Sequence, residues 1–176
     1  YGAGHVGSAT ARLASTTGFR VTLIDERIEF ADPDHFSSEI RVHAADPMTL
    51  LGQLPWGASA FHLVVTHSHQ VDQDLVEAIL PRPVGWLGMI GSRTKVAKFF
   101  IRYRAAGMDE SLFTKLSAPV GLSIGAETPE EIAVSIVAEL IRLRRDADAL
   151  CTPLSDQPID ARGSDGKARP PHAKTR

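Results

Sequence analysis

The chain opens on Gly2-Ala3-Gly4-His5-Val6-Gly7, a G-x-G-x-x-G run at the head of a helix-forming segment. Few short motifs restrict a fold as strongly, because each glycine has its own task. Gly2 permits a tight turn, Gly4 lets backbone approach a pyrophosphate, and Gly7 lets helix and strand pack closely. The N–H groups at the helix start would then face the anion. Asp25 stands 18 residues past Gly7, at the end of the next β-rich run, FRVTLI. A carboxylate there can accept from a ribose hydroxyl. The competing reading is a glycine-rich turn with no ligand. Because the chain begins at Tyr1, the strand that should precede the motif is expected to be truncated.

Behind this motif the pattern alternates. A helix is expected from about Gly4 to Thr17, stopped by Gly18, followed by the strand Phe19 to Ile24. Ile40 to His43 is a weaker strand candidate, and Phe61 to Thr66 a stronger one. A helix over Val71 to Leu80, the apolar strand Val84 to Ile90 and a helix over Ser92 to Ala106 come next. The last helix, Pro129 to about Arg145, has the best-specified start: Thr128 caps, Pro129 suits the first helical position, and Glu131 completes a capping box. Between Ile132 and Leu143 only Ser135, Glu139 and Arg142 are polar, which implies burial on most sides, against the sheet and against a second copy if the chain dimerises.

Strands alternating with helices specify an α/β fold, Rossmann-like and doubly wound, with a mostly parallel sheet and helices on both faces. It is expected to occupy residues 1–148. From Cys151 onward there are four prolines and no aromatic residue, so residues 149–176 are expected to form a disordered tail. The single cysteine excludes an intramolecular disulfide and a Cys-cluster zinc site. A formal net charge of −2 gives no reason to expect nucleic acid or an anionic membrane as partner. No apolar run approaches the roughly 20 residues that span a bilayer, and a cytoplasmic setting is the expectation.

In such sheets ligands bind at loops leaving the carboxyl ends of the strands. Two further loops there could carry chemistry. Thr66-His67-Ser68-His69, with Asp72 nearby, places two histidines at i and i+2. It could line a cleft with hydrogen-bonding groups, hold a metal, or do neither; no convincing set of further metal ligands accompanies it. Gly91-Ser92-Arg93-Thr94-Lys95 puts two cations into a first helical turn, with Lys98 one turn on. Each opposes the helix dipole at a cost of about 0.3–1 kcal/mol. A bound anion would offset that cost, with Arg93 as a fork and Lys95 as a point charge; the alternative is solvated side chains pointing away. A fourth loop, Ala118 to Glu127, is either a wall of the cleft or a crossing. The candidate binding residues are thus Gly2, Gly4, His5, Gly7, Asp25, His67, His69, Gly91, Ser92, Arg93 and Lys95, all in one cleft.

At these residues the sequence resembles the XdhC/CoxI family, accessory proteins of xanthine dehydrogenase and related molybdenum hydroxylases. The stretches that carry the resemblance are GAGHVG (2–7), VTLIDER (21–27), TH-x-H-x-x-D (66–72), LGMIGSRTK (87–95) and APVGLSIGAETPEEIAVSIVAEL (118–140). It spans about Gly2 to Arg145 and covers the family's C-terminal Rossmann domain. The resemblance implies a chaperone that binds molybdenum cofactor (molybdopterin or its dinucleotide form), assists its sulfuration and inserts it into the hydroxylase, with a cysteine desulfurase as a further partner. No triad of nucleophile, base and orienting group is evident, which suits a carrier better than a catalyst. Two other classes share the glycine loop and Asp25: an NAD(P)-dependent oxidoreductase and a nucleotide-sensing regulatory domain.

Overall fold

The computed structural model describes residues 1–105 and 107–145; the expected tail at 149–176 lies outside them. Among the described residues, five α-helices and five strands are joined mostly by short loops. They are α1 (His5–Thr16), β1 (Val21–Asp25), β2 (Ile40–Ala44), α2 (Pro47–Leu50), β3 (Gly57–Val64), α3 (His69–Ile79), β4 (Val84–Met89), α4 (Arg93–Ala105), β5 (Leu116–Ser117) and α5 (Pro129–Arg144).

Every strand pairing among them is parallel. β1 pairs with β2, Val21 to Asp25 running opposite Ile40 to Ala44. β3 pairs with β4, and β4 with β5. The two groups are separate sheets, β1–β2 and β3–β4–β5. Between them lie Tyr1 and Gly2. Tyr1 N donates to Leu63 O at 2.7 Å, Val65 N to Tyr1 O at 2.9 Å, and Gly2 N to Ile24 O at 2.8 Å. These are the bonds of a parallel strand end lying between β1 and β3. The lateral order is therefore β2, β1, Tyr1–Gly2, β3, β4, β5, the arrangement of a doubly wound dinucleotide-binding sheet. The central position is short, as expected.

Both faces are covered. Leu75, Val76 and Ile79 of α3 and Val96, Phe99 and Tyr103 of α4 bury against Val64, Leu87 and Met89 on one face. On the other, Ile136 and Leu140 of α5 pack on Trp86, and α1 lies over β1 and β2 through Ala11, Leu23 and Ile40. Each large side chain buried this way contributes about 1.5–3 kcal/mol. Trp86 fits because Gly88, two residues on and on the same face, leaves room for its ring; its Nε1 donates to Ser117 Oγ at 2.7 Å.

The capping box at α5 forms with both bonds present. The polar residues inside this apolar helix have definite work. Glu139 Oε2 accepts from Gly121 N at 2.6 Å and Ser135 Oγ donates to Leu122 O at 2.6 Å. Val120 N donates to Met89 O, extending β5 beside the end of β4. The loop 118–127 is thus tied to the sheet edge and to α5. Two short elements, α2 and β5, carry no periodic signal in the sequence, and α3 starts at His69, two residues earlier than its pattern suggests.

Candidate functional site

Parallel pairing sends the loops after β1, β3 and β4 to one edge of the sheet, and the glycine loop joins them there. The three glycines differ in what holds them. Gly2 has φ +101°, a conformation L side chains rarely adopt, and a Cβ there would strike the Val65 carbonyl. A Cβ on Gly7 would strike the carbonyl oxygen of Gly2. Packing alone demands those two. Gly4 is different: it caps α1 at φ −64°, and a Cβ there would meet nothing within 4 Å. The fold does not require a glycine at position 4, whereas a ligand lying against the backbone would. His5 follows it, exposed, as the first residue of α1.

Asp25 is buried and fully engaged. Its Oδ2 accepts from Ala3 N at 2.7 Å and from Arg27 Nη2 at 2.7 Å. Its Oδ1 accepts from Arg27 N at 3.0 Å and Arg27 Nε at 2.9 Å. Burial pulls its pKa upward, but the Arg27 fork and the two backbone N–H groups outweigh it and hold the carboxyl down at about 2. Arg27 in turn stacks on Phe30, 4.0 Å from the ring centroid. Sequence reasoning missed Arg27 as a site residue, although it stands two positions past an already suspected carboxylate. A ribose hydroxyl can reach Asp25 only where Arg27 gives way.

The turn after β3 is pinned from within. Asp72 Oδ1 accepts from Thr66 N at 2.9 Å and Thr66 Oγ1 at 2.7 Å, while Asp72 itself is 3% exposed. His67 reaches toward Glu26, Nε2 to Oε1 3.9 Å, and His69 Nδ1 stands 3.8 Å from Asp72 Oδ2. Among the described residues no three His, Cys, Asp or Glu side chains come close enough to hold a metal ion.

This turn divides the edge in two. On one side a shallow depression of about 10 Å³, room for roughly one water, is lined by Gly2, Ile24, Asp25, Glu26, Pro47, Thr66, His67 and Val71. On the other a cavity of about 200 Å³ lies between α3 and α4, with His69, Asp72 and Gln73 along one wall and Gly91, Lys95 and Lys98 along the other. Its floor is Met89, Val96 and Phe99, all buried. The glycine loop and the Gly91–Lys95 segment thus share an edge but not one cleft, because the Thr66–Asp72 turn stands between them. Ser92 caps α4, its Oγ accepting from Lys95 N at 3.4 Å. Ser92 and Arg93 are exposed and line neither depression. Lys98 and Gln73 do line the cavity; helical spacing from Lys95 and His69 is the signal that points to them.

A doubly wound sheet with a glycine loop and polar turns gathered at its carboxyl edge defines a Rossmann-like class of domain. Over residues 1–140 the sequence matches the family described as the XdhC Rossmann domain. The chain belongs to that family. It is 35% identical over 147 residues to the protein YqeB of Escherichia coli (strain K12), covering 83% of this chain and 27% of that protein. It is 32% identical over 145 residues to a probable xanthine dehydrogenase component of Bacillus subtilis (strain 168), covering 82% of this chain and 42% of that protein. The crystal structure of a xanthine dehydrogenase from Bacillus halodurans superposes with a TM-score of 0.69 at 31% identity, covering 88% of this chain and 44% of the other. The chain therefore spans less than half the length of these relatives. Among the described residues no helix is long and apolar enough to cross a membrane.

Proposed function

We propose that this chain is the cofactor-holding domain of an accessory protein to xanthine dehydrogenase or a related molybdenum hydroxylase. On this reading it binds molybdenum cofactor at the carboxyl edge of its sheet, keeps it during sulfuration and passes it to the hydroxylase in the cytoplasm. A cysteine desulfurase would supply sulfur, and a second copy could complete the carrier. Family membership and the relatives' names support an association with a xanthine dehydrogenase system. The observation that carries the binding reading is Gly4, a glycine at a helix start that the packing does not need and that leaves backbone open to a phosphate.

The residues present fit such a cargo. Gly2, Gly4, His5 and Gly7 would hold the phosphate end at the start of α1, beside Asp25 and His67. Gly91 and Lys95, on the wall of the larger cavity, would meet further negative charge, with Ser92 and Arg93 exposed beside it and His69 between the two groups. When bound, the cofactor supplies the metal–dithiolene centre; the chain's own part is to hold, orient and shield it.

Titration of the purified chain with molybdenum cofactor and, separately, with NADH, followed by absorbance and fluorescence, tests this. Saturable cofactor binding that NADH does not match is expected. Tight NADH binding with none of the cofactor would favour the oxidoreductase or nucleotide-sensing alternatives that share the glycine loop.

A further inference from the structure

The cavity between α3 and α4 has a feature that the glycine-loop reading does not use. Asp72 lines it and is almost wholly buried, yet only one of its oxygens has a protein partner. Oδ1 takes both bonds from Thr66. Among the described residues no donor reaches Oδ2 within hydrogen-bond distance, His69 Nδ1 being 3.8 Å away. Oδ2 is not among the buried polar atoms left without a partner, so it opens to solvent beside the cavity, an acceptor that a ligand's donor can take over from water. Burial already lifts the Asp72 carboxyl above its ordinary range, in spite of the Thr66 bonds.

The rest of the wall restricts what that donor belongs to. Met89, Val96 and Phe99 offer an apolar floor, and Lys95 and Lys98 bring two exposed cations to the cavity wall. Among the described residues neither lysine is in an ion pair, whereas Arg102 and Arg104 further along α4 are paired with Glu77 and Glu110. The volume of about 200 Å³ falls below the roughly 300–1,000 Å³ of sites for larger ligands. A single flat ring system matches that volume.

We infer that this cavity is a subsite for a planar heteroaromatic ring with an N–H donor edge and an anionic substituent, the N–H bonding Asp72 Oδ2 and the anion facing Lys95 and Lys98. Resting on the function proposed above, the ring is the pterin of the cofactor, and the glycine loop takes the phosphate-bearing end. The Thr66–Asp72 turn then holds the two ends of one ligand apart.

The probe is pterin-6-carboxylate, titrated into the full chain by fluorescence quenching, with ADP titrated calorimetrically in parallel. Asp72→Asn keeps the oxygen that serves Thr66 and replaces the acceptor Oδ2 by a donor. It should weaken the pterin at least about tenfold, in line with loss of a charge-assisted bond, while leaving ADP affinity unchanged. Lys98→Glu, on an exposed helical position, should also weaken the pterin and spare ADP; it serves where Asp72→Asn does not fold. Failure of the wild type to bind the pterin saturably would overturn the inference, as would equal pterin affinity in wild type and both variants. Cofactor bound equally by wild type and Asp72→Asn sinks the subsite and keeps the carrier; pterin bound through Asp72 by a chain that ignores the cofactor does the reverse.

Discussion

Arg27 grips Asp25 with two side-chain hydrogen bonds, Nε to Oδ1 at 2.9 Å and Nη2 to Oδ2 at 2.7 Å, while the same carboxylate holds the Ala3 N–H of the glycine loop. The pair joins the end of β1 to the loop, so a ligand reaching Asp25 must compete with the protein's own arginine.

Competition gives opposite signs to two substitutions. Arg27→Met should tighten ADP binding by severalfold, because a ribose hydroxyl no longer has to displace a guanidinium. Asp25→Ala should weaken it by about 1–3 kcal/mol, the scale of a charge-assisted hydrogen bond. Calorimetric titration of both variants checks this. Equal affinities in wild type and Arg27→Met would place Arg27 outside the ligand's path.

The same pair sets a pH dependence. Asp25 titrates near 2 in the fold against about 3.9 in an unfolded chain. Its folded value is the lower one, so its contribution is complete above about 4 and is lost as pH falls toward 2. Arg27→Met should cost about 1–2 kcal/mol at neutral pH, part of the guanidinium being in solvent. The gap between wild type and variant should then narrow between pH 4 and pH 2. Urea unfolding across that range measures it, and parallel curves would contradict the assignment.

The glycines separate fold from ligand. Gly7→Ala drives a methyl into the Gly2 carbonyl and should destabilise by at least about 1–3 kcal/mol. Gly4→Ala meets open space; its lower unfolded-state entropy and its poorer N-capping nearly offset, leaving stability within about 1 kcal/mol. ADP binding should nonetheless fall at least about tenfold, the cost of a methyl where backbone should touch phosphate. Unchanged ADP affinity in Gly4→Ala, by the same titration, would remove the phosphate from the glycine loop.

On α5, Glu139→Ala leaves the Gly121 N–H without its acceptor and should cost about 1–3 kcal/mol. Hydrogen exchange should quicken at Gly121 and Leu122 before it does in the helix. Uniform acceleration along α5 would mean that the loop is not held through this bond.

Much of the fold is legible in the chain because periodicity and caps act locally. Thr128, Pro129 and Glu131 specify the start of α5 without help from the rest of the molecule, and GAGHVG with Asp25 specifies a strand–turn–helix unit of one topology. What stays hidden depends on tertiary neighbours. β5 is two residues long and exists through its pairing with β4. The bond from Asp25 to Ala3 and the empty space at Gly4 are both three-dimensional facts. The division of the edge is equally hidden, since it rests on a turn held by the hydrogen bonds from Thr66 to Asp72. Sequence spacing puts the glycine loop and Gly91 to Lys95 at one edge, and cannot show what stands between them.

If this edge receives an anionic cargo, Lys95 on the cavity wall and Arg93 exposed beside it report its charge. Both stand in the first turn of α4, where no acidic residue accompanies them. Molybdenum cofactor titrated into wild type and into the Arg93→Gln, Lys95→Gln double variant at two salt concentrations reads the charge contribution. Binding should be weaker in the variant, with a flatter salt dependence. Its melting temperature should equal or slightly exceed that of wild type, since two cations leave the positive end of a helix. Unchanged cofactor affinity together with lost stability would contradict the role of this edge in binding.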